Sequence, residues 1–557
     1  MVLAPPRDRW LSGCSPDPQI HTLVYMLKRT AHAAITVTLA TATVAALAVT
    51  ATAGTSGDTG PSVVRTDKGA VRGTVTDTVR TFEGIPYAAP PTGERRWAST
   101  APARRWQGVK DATEPRSACP QTGLVPPAGP KSDTEDCLFV NVTTPRADPT
   151  RPRPVMVYLH GGDHTDGEGA MHGAQRLAAQ GDVIVVTVNY RLGALGYLAH
   201  PGLEKGSRRG ESGNYGFLDQ QAALRWVRHN ASAFGGDPGN VTLFGQSGGS
   251  HSTCAHLVAP SSAGLFDRVV SQSGPCTSAD GKTSREAALR QGEKTAADIE
   301  KKPGVKHWRK APVEHLVHPF QQGPRYSPVY GGELLPLTPD EAFATGRFNK
   351  VPVLQGINRD EMRAMVYGME LAKKQTTGDP AATIDAADYR ARIEEEFGKE
   401  KATAVTERYP IGAYDDTPAL ALAAALTDAH FARPAVDTGR ALAAQVPTYS
   451  YEFAEKETPW YADPMYPKPG FPAGAGHLFE LPYLFEIDDY EELDPAQRGL
   501  SDAMIRTWTD FARTGKADWK PTTPAEPHTQ SLASGPGGIH PVDFAKDHRY
   551  DFWKSLG

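Results

Sequence analysis

Cysteine is scarce in this chain, with five in 557 residues and no Cys-x-x-Cys unit among them. That spacing is what a zinc ribbon or a dithiol redox site needs, so neither is expected, and no metal or cofactor is called for. Positive charge is not in excess either. Lys and Arg total 59 against 64 Asp and Glu, a formal net charge of -5, and no local Lys/Arg cluster compensates. Nucleic acid is therefore not an expected partner. The chain also lacks internal repeats, low-complexity tracts and any linker that would cut it into independent domains. With 39% hydrophobic and 22% charged residues it has the composition of an ordinary globular protein. Large α/β enzymes reach this length as one domain, and a single catalytic domain over 54–557 is the simplest organisation.

The N-terminus is a different kind of sequence. Met26-Leu27-Lys28-Arg29 is followed by a run rich in Ala, Thr, Val and Leu up to Val49, and then by Ala51-Thr52-Ala53. A positive start, an apolar stretch and a small-x-small site predict an export signal cleaved after about Ala53, with residues 1–53 as leader and Met26 as the true start. The alternative is an uncleaved signal anchor, but the run is weakly apolar for a permanent span, and no stable membrane span is expected after processing. A secreted location suits the cysteines. Cys14 falls in the leader, which leaves Cys119, Cys137, Cys254 and Cys276. Four cysteines in an exported chain suggest two disulfides. Three pairings are open, and the sequence neighbours 119/137 and 254/276 form the simplest. Their loops of roughly 19 and 23 residues would each contribute about 3 kcal/mol.

Residues 71–87 show short apolar runs between turn residues, the pattern of antiparallel strands. Continuous apolar runs at 155–159, 183–188 and 241–244 predict strands buried on both faces, with 138–142 before them and a further strand around 266–271. Helical spacing over 216–234 places Leu218, Ala222, Trp226 and Val227 on one stripe. Strands alternating with helices predict a doubly wound, mostly parallel α/β sheet. From Asp360 to about Ala444 the sequence is rich in Ala, Glu and Lys with helical periodicity, which predicts a helical insertion over one end of the sheet. Strand character returns at 447–453, and a C-terminal helix is expected at 503–514.

The chemistry-bearing segment is Gly245-Gln246-Ser247-Gly248-Gly249, which follows the apolar strand 241–244 and opens a predicted helix at 250–259. A Gly-x-Ser-x-Gly turn between strand and helix holds its serine in a strained, exposed position, with small neighbours where the two elements pass closely. The hydroxyl lies near the positive end of the helix dipole, where developing negative charge is favoured. Acyl transfer also needs donors aimed at an oxyanion. The N–H of Gly248 is one, and the turn His160-Gly161-Gly162-Asp163, after the strand 155–159, supplies the others.

Taken in order, these segments resemble the type-B carboxylesterases, the α/β-hydrolase family that includes cholinesterases and bacterial p-nitrobenzyl-type esterases. Phe82-Glu83-Gly84-Ile85-Pro86-Tyr87-Ala88 and Glu135-Asp136-Cys137-Leu138-Phe139-Val140-Asn141-Val142 resemble the family's two N-terminal signatures. Asn189-Tyr190-Arg191-Leu192-Gly193, the stretch from Gly213 to Gln220 and Phe234-Gly235-Gly236-Asp237-Pro238 match as well. The resemblance implies the α/β-hydrolase fold, a small-molecule ester substrate and a Cys119–Cys137 pair. It also implies a triad in which Ser247 is the nucleophile. Its acid lies in Gly356-Ile357-Asn358-Arg359-Asp360-Glu361 and is Glu361, with Asp360 the competing choice. Its base lies in Gly474-Ala475-Gly476-His477-Leu478-Phe479-Glu480-Leu481-Pro482 and is His477. Ser273 matches a serine thought to support acid and base, and a structural hydroxyl serves equally well as an explanation. His477 would take the serine proton, and Glu361 would fix the imidazole tautomer. Gly162, Asp163 and Gly248 would form the oxyanion hole.

Three positions depart from the family pattern. Asp163 stands where the oxyanion turn has its third glycine, and a carboxylate there costs transition-state stabilisation unless it points away or is protonated. Gln246 stands where many relatives carry glutamate, which weakens the case for a cationic choline substrate. Met362 replaces the usual glycine after the acid. His160, Asp163 and His164 could be imagined as metal ligands, but the Gly-Gly turn already has a role and His-x-x-x-His faces one way only on a helix, so no metal is expected there. Packing or solvent exposure is the expectation for His251 and His256. Two alternatives remain: a catalytically dead adhesion relative, although all three triad positions are filled, and an amidase using the same triad.

Overall fold

The structure is a computed structural model that describes residues 62–123, 129–205, 212–319, 323–462 and 466–557. The expected leader, with Met26 and Ala53, lies outside the described residues. The backbone of the molecule is a sheet built in chain order from β1 (Thr74–Val75), β2 (Val79–Pro86), β3 (Phe139–Pro145), β4 (Arg153–Leu159), β5 (Ile184–Val188), β6 (Gly236–Gln246), β7 (Arg268–Gln272), β8 (Val353–Asn358), β9 (Thr448–Phe453), β10 (Thr529–Leu532) and β11 (His540–Val542). Their spatial order is β11-β10-β9-β8-β7-β6-β4-β5-β3-β2-β1. The seven strands from β5 across to β10 are parallel, and antiparallel strands flank them on both sides. This is the doubly wound α/β-hydrolase sheet.

The alternation of side chains along the strands explains why the central runs are apolar throughout. Met156 and Tyr158 of β4, Val185 of β5, Phe244 of β6, Val270 of β7 and Leu354 of β8 enter one core. Their sequence neighbours Val155, Val157, Leu159, Ile184, Val186, Leu243, Val269 and Val353 enter a second core on the opposite face. Both faces are covered, so no polar alternation survives. Helix α1 (Tyr215–Asn230) and helix α2 (Gly248–Val258) close the second core with Phe217, Leu224, Val227, Ala255 and Leu257.

After β8 the chain leaves the sheet for the expected helical insertion: α3 (Met362–Thr377), α4 (Ala386–Phe397), α5 (Lys399–Arg408), α6 (Pro418–Thr427) and α7 (Arg433–Ala443). A π-helical turn, Asp428–Ala432, joins α6 to α7. Helix α8 (Pro495–Thr514) closes the first core with Leu500, Met504, Ile505, Trp508 and Phe511. It begins well before the expected 503, because Asp494 and Gln497 form a capping box around Pro495. Strand β6 also runs longer than the apolar 241–244, since Gly236 pairs with Arg153 and extends the ladder through a Gly- and Pro-bearing segment.

Both neighbouring cysteine pairs are bonded. Cys119–Cys137 has a Cα–Cα distance of 4.9 Å and Cys254–Cys276 one of 5.2 Å, within the normal range. The second ties α2 to the segment after β7. Among the described residues no helix is long and apolar enough to cross a membrane.

Candidate active site

Ser247 sits at the junction of β6 and α2 with φ 55° and ψ -122°, a conformation a non-glycine residue rarely adopts. Backbone bonds hold it there: its N–H donates to Gln272 O at 2.9 Å, and its carbonyl accepts from His251 N–H at 3.0 Å. Because the serine is pushed out of the strand direction, the sheet and helix close up behind it. A Cβ on Gly249 would fall 1.9 Å from Leu159 O, which makes glycine necessary there.

The turn after β4 comes up against this elbow. A Cβ on Gly161 would lie 3.2 Å from Ser247 Cβ, and one on Gly248 would lie 3.1 Å from the backbone nitrogen of Asp163. The two turns are thus in contact. Among the described residues the N–H groups of Gly162, Asp163 and Gly248 have no protein acceptor.

His477 is brought to the same place from a loop after β9. Its Nδ1 lies 2.5 Å from Glu361 Oε2, and both side chains are buried. Its other ring nitrogen, Nε2, lies 3.4 Å from Gln246 Nε2, the side chain immediately before Ser247. The backbone reinforces the pair, since His477 N–H donates to Glu361 O at 3.1 Å. Phe431, on the π-helical turn, packs against the imidazole with ring centroids 5.4 Å apart. Burial alone would lower the pKa of His477. The Glu361 carboxylate outweighs it, aided by Glu480 and Asp163, and leaves the imidazole above its ordinary value.

Glu361 is positioned by its own strand end. Its Oε1 accepts from Asn358 N–H at 2.8 Å. Asp360 turns elsewhere, accepting from Ala475 N–H at 3.1 Å and pairing with Arg363 at 2.8 Å. Behind this carboxylate lies another. Glu480 is fully buried, and its Oε2 accepts from Asn358 Nδ2 at 2.7 Å. Burial, with the Glu361 charge nearby, pushes Glu480 up to about 7.

The remaining sequence candidates have local explanations. His160 stacks on Tyr190 with centroids 4.4 Å apart, and His164 Nε2 meets Ser252 Oγ at 3.0 Å. His256 Nδ1 meets Ser262 Oγ at 2.9 Å in the core, and His251 is half-buried. Ser273 is buried with φ 51°, and its N–H donates to Gly356 O at 2.9 Å, while its hydroxyl has no protein partner among the described residues. Met362 starts α3 inside the first core and donates its N–H to Thr427 Oγ1 at 3.0 Å, a packing reason for an apolar side chain there.

A family model described as the carboxylesterase family matches residues 60–553. The chain belongs to the carboxylesterase family. Among its relatives, para-nitrobenzyl esterase of Bacillus subtilis is 34% identical over 486 residues, covering 81% of this chain and 90% of that protein. Fumonisin B1 esterase of Sphingopyxis macrogoltabida is 35% identical over 488 residues, covering 82% and 83%. Cocaine esterase of Oryctolagus cuniculus is 32% identical over 503 residues, covering 83% and 90%. A solved PNB esterase structure superposes with a TM-score of 0.70 at 31% identity, covering 88% of this chain and 99% of the other.

Within this carboxylesterase-family site, sequence reasoning assigned no role to Asn358, Glu480, Phe431 or Arg325. The first two lay inside the segments that carry the family resemblance, so their place beside Glu361 and His477 was within reach. Phe431 and Arg325 lie in segments with no motif at all. Arg325 lies 3.4 Å from the carboxylate of Asp163, a contact no sequence pattern announces.

Proposed function

We propose that this carboxylesterase-family protein hydrolyses small carboxylic esters through an acyl-enzyme formed on Ser247. His477 is the general base and Glu361 the acid behind it. The N–H groups of Gly162, Asp163 and Gly248 receive the oxyanion. The observation that carries the proposal is the buried chain from Glu361 through both ring nitrogens of His477 to the residue next to Ser247. With Nδ1–H donating to Glu361, Nε2 is left as an acceptor, the form a base must have. Attack by the serine oxygen on the ester carbonyl passes its proton to Nε2. Collapse of the tetrahedral intermediate returns that proton to the departing alcohol, and water repeats the sequence to release the acid.

The relatives named above are para-nitrobenzyl, fumonisin B1 and cocaine esterases. All three are named esterases and each name carries a different compound, which supports ester cleavage as the common chemistry. Gly60–Gly557 forms one compact unit, which supports reading everything beyond the leader as one catalytic domain. Two disulfides and a signal-like leader support export.

The test compares matched p-nitrophenyl ester and anilide substrates, with an organophosphonate as covalent label. Ester turnover, label on Ser247 and a roughly million-fold loss in Ser247→Ala are expected. Cleavage of neither substrate would favour a binding relative, and preference for the anilide an amidase.

A further inference from the structure

Asp163 cannot leave the oxyanion turn. Its backbone is held at φ 50°, and the turn is closed by N–H bonds from Thr165 and Asp166 to Gly162 O at 2.9 and 3.0 Å. On the other side its Cα abuts Gly248, where a Cβ would come within 3.1 Å of it. The N–H can therefore keep facing the reaction centre only if the attached carboxylate is taken elsewhere by side-chain rotation. The structure shows what takes it. Arg325 Nη2 lies 3.4 Å from Asp163 Oδ2, and Arg325 Nη1 donates to Asp280 Oδ1 at 3.1 Å. Asp280 thereby anchors the guanidinium from the far side. One planar group with two separate nitrogens spans the two carboxylates, which a lysine ammonium could not do with the same fixed directions.

We propose that Arg325 is a positioning residue of the oxyanion hole, holding the Asp163 carboxylate away from the developing oxyanion so that an aspartate can stand in this turn, where the family resemblance leads one to expect glycine. The proposal rests on the acyl-transfer reading of Ser247. Arg325 never touches substrate in this scheme. It acts through Asp163, and Asp280 acts through Arg325. Its contribution is to rate rather than stability, because the Arg325 side chain is 56% exposed and exposed ion pairs add little to folding.

The experiment is a double-mutant cycle on the full chain with p-nitrophenyl acetate, reading kcat, KM and melting temperature for Arg325→Ala, Asp163→Asn and the pair. Loss of one oxyanion donor costs roughly 100- to 1000-fold, so freeing a carboxylate beside it is expected to lower kcat of Arg325→Ala by about 10- to 100-fold, with KM and melting temperature little moved. In the Asp163→Asn background the same Arg325 change is expected to cost no more than about threefold relative to Asp163→Asn alone, because the charge it manages is gone. An equal loss in both backgrounds, or full activity in Arg325→Ala, overturns the proposal. If Arg325→Ala gives no soluble protein, Arg325→Gln carries the same comparison. Ser247→Ala is measured alongside. Activity surviving in that variant overturns the acyl-transfer reading and this proposal together, whereas an inactive Ser247→Ala with no Arg325–Asp163 coupling overturns this proposal alone.

Discussion

Glu361 and Glu480 are joined through one residue. Asn358 donates its backbone N–H to the first carboxylate at 2.8 Å and its side-chain amide to the second at 2.7 Å. The same amide also donates to Gly476 O at 2.8 Å, next to His477. Asn358 is the last residue of β8, so the strand end fixes Glu361, the His477 loop and Glu480 in one step. A buried polar network of this kind is rigid only while every member keeps its partner. Two carboxylates so close and so buried are costly if both are ionised.

That cost gives Glu480 a signature in stability. Its folded pKa of about 7 lies above the ordinary 4.5, so the folded state holds the proton more tightly. The contribution to stability is complete below about pH 4.5 and is lost as pH rises through about 7. Glu480→Gln mimics the protonated form and keeps an acceptor for Asn358. Relative to wild type it is expected to gain up to about 3 kcal/mol between those two pH values. Urea midpoints measured at pH 5 and pH 8 check this. A difference between variant and wild type that does not change with pH would remove Glu480 as the titrating group.

Glu361 has a kinetic signature instead. It holds the pKa of His477 up against burial, and a general base, the role proposed for His477, works only when neutral. The acid limb of kcat/KM is therefore expected to report His477. Glu361→Gln should move that limb to lower pH while lowering kcat by roughly 10,000-fold, the order seen when a triad carboxylate becomes an amide. Rate profiles from pH 5 to 9 on a p-nitrophenyl ester decide the point. An acid limb left in place would mean that some other group controls it.

The legible part of this protein was the part written in short-range pattern. Continuous apolar runs such as Val155–Met156–Val157 mark strands whose alternate side chains feed two cores, and the serine turn announces itself by its glycines. The start of α8 was also written, in Asp494-Pro495-Ala496-Gln497, but the apolar stripe that begins near Leu500 is the louder signal. What could not be read is what depends on side chains meeting across the fold. Phe431 reaches His477 because a π-helical turn, set between two ordinary helices, aims it there. Arg325 meets Asp163 across 162 positions with no periodicity linking them. The preference for Glu361 over Asp360 came from family resemblance, and what each carboxylate touches is visible only in space. Asp360 is committed to Arg363 and Ala475.

The disulfide between Cys254 and Cys276 spans 22 positions and joins α2 to the segment after Ser273. Closing a loop of that length is expected to contribute about 3 kcal/mol, chiefly by restricting the unfolded chain. Cys254→Ala with Cys276→Ala should lower the urea midpoint accordingly while leaving KM near wild type in the molecules that remain folded. A midpoint unchanged by the double substitution would mean that the bridge adds no net stability.

The farthest-reaching stability prediction concerns His548, near the C-terminus. Its Nδ1 lies 2.5 Å from Asp428 Oδ1 and its Nε2 lies 2.8 Å from Glu452 Oε1, with all three side chains buried. Both ring nitrogens face carboxylates, so the imidazole is held as a cation. Burial opposes this, but Asp428 and Glu452 together raise His548 to about 10, while His548 and Arg359 outweigh burial and bring Glu452 down to about 2. The two shifts work at opposite ends of the pH scale. The His548 contribution is whole below about pH 6.5 and fades as pH rises through 10. The Glu452 contribution is whole above about pH 4.5 and fades as pH falls through 2. Stability should therefore peak on the acid side of neutrality and decline above it. His548→Ala strands two buried carboxylates and is expected to cost 3–5 kcal/mol, the order found when one member of a buried pair is removed. It should also remove the His548 share of this alkaline decline, leaving the share that Glu480 carries through about pH 7. Urea denaturation at pH 6 and pH 9, with and without His548→Ala in a Glu480→Gln background, separates the two effects, and an alkaline decline that persists in the double variant would assign it to a different group. Asp428 opens the turn that carries Phe431 to His477, so a lower kcat in the same variant would show the clamp reaching the reaction centre.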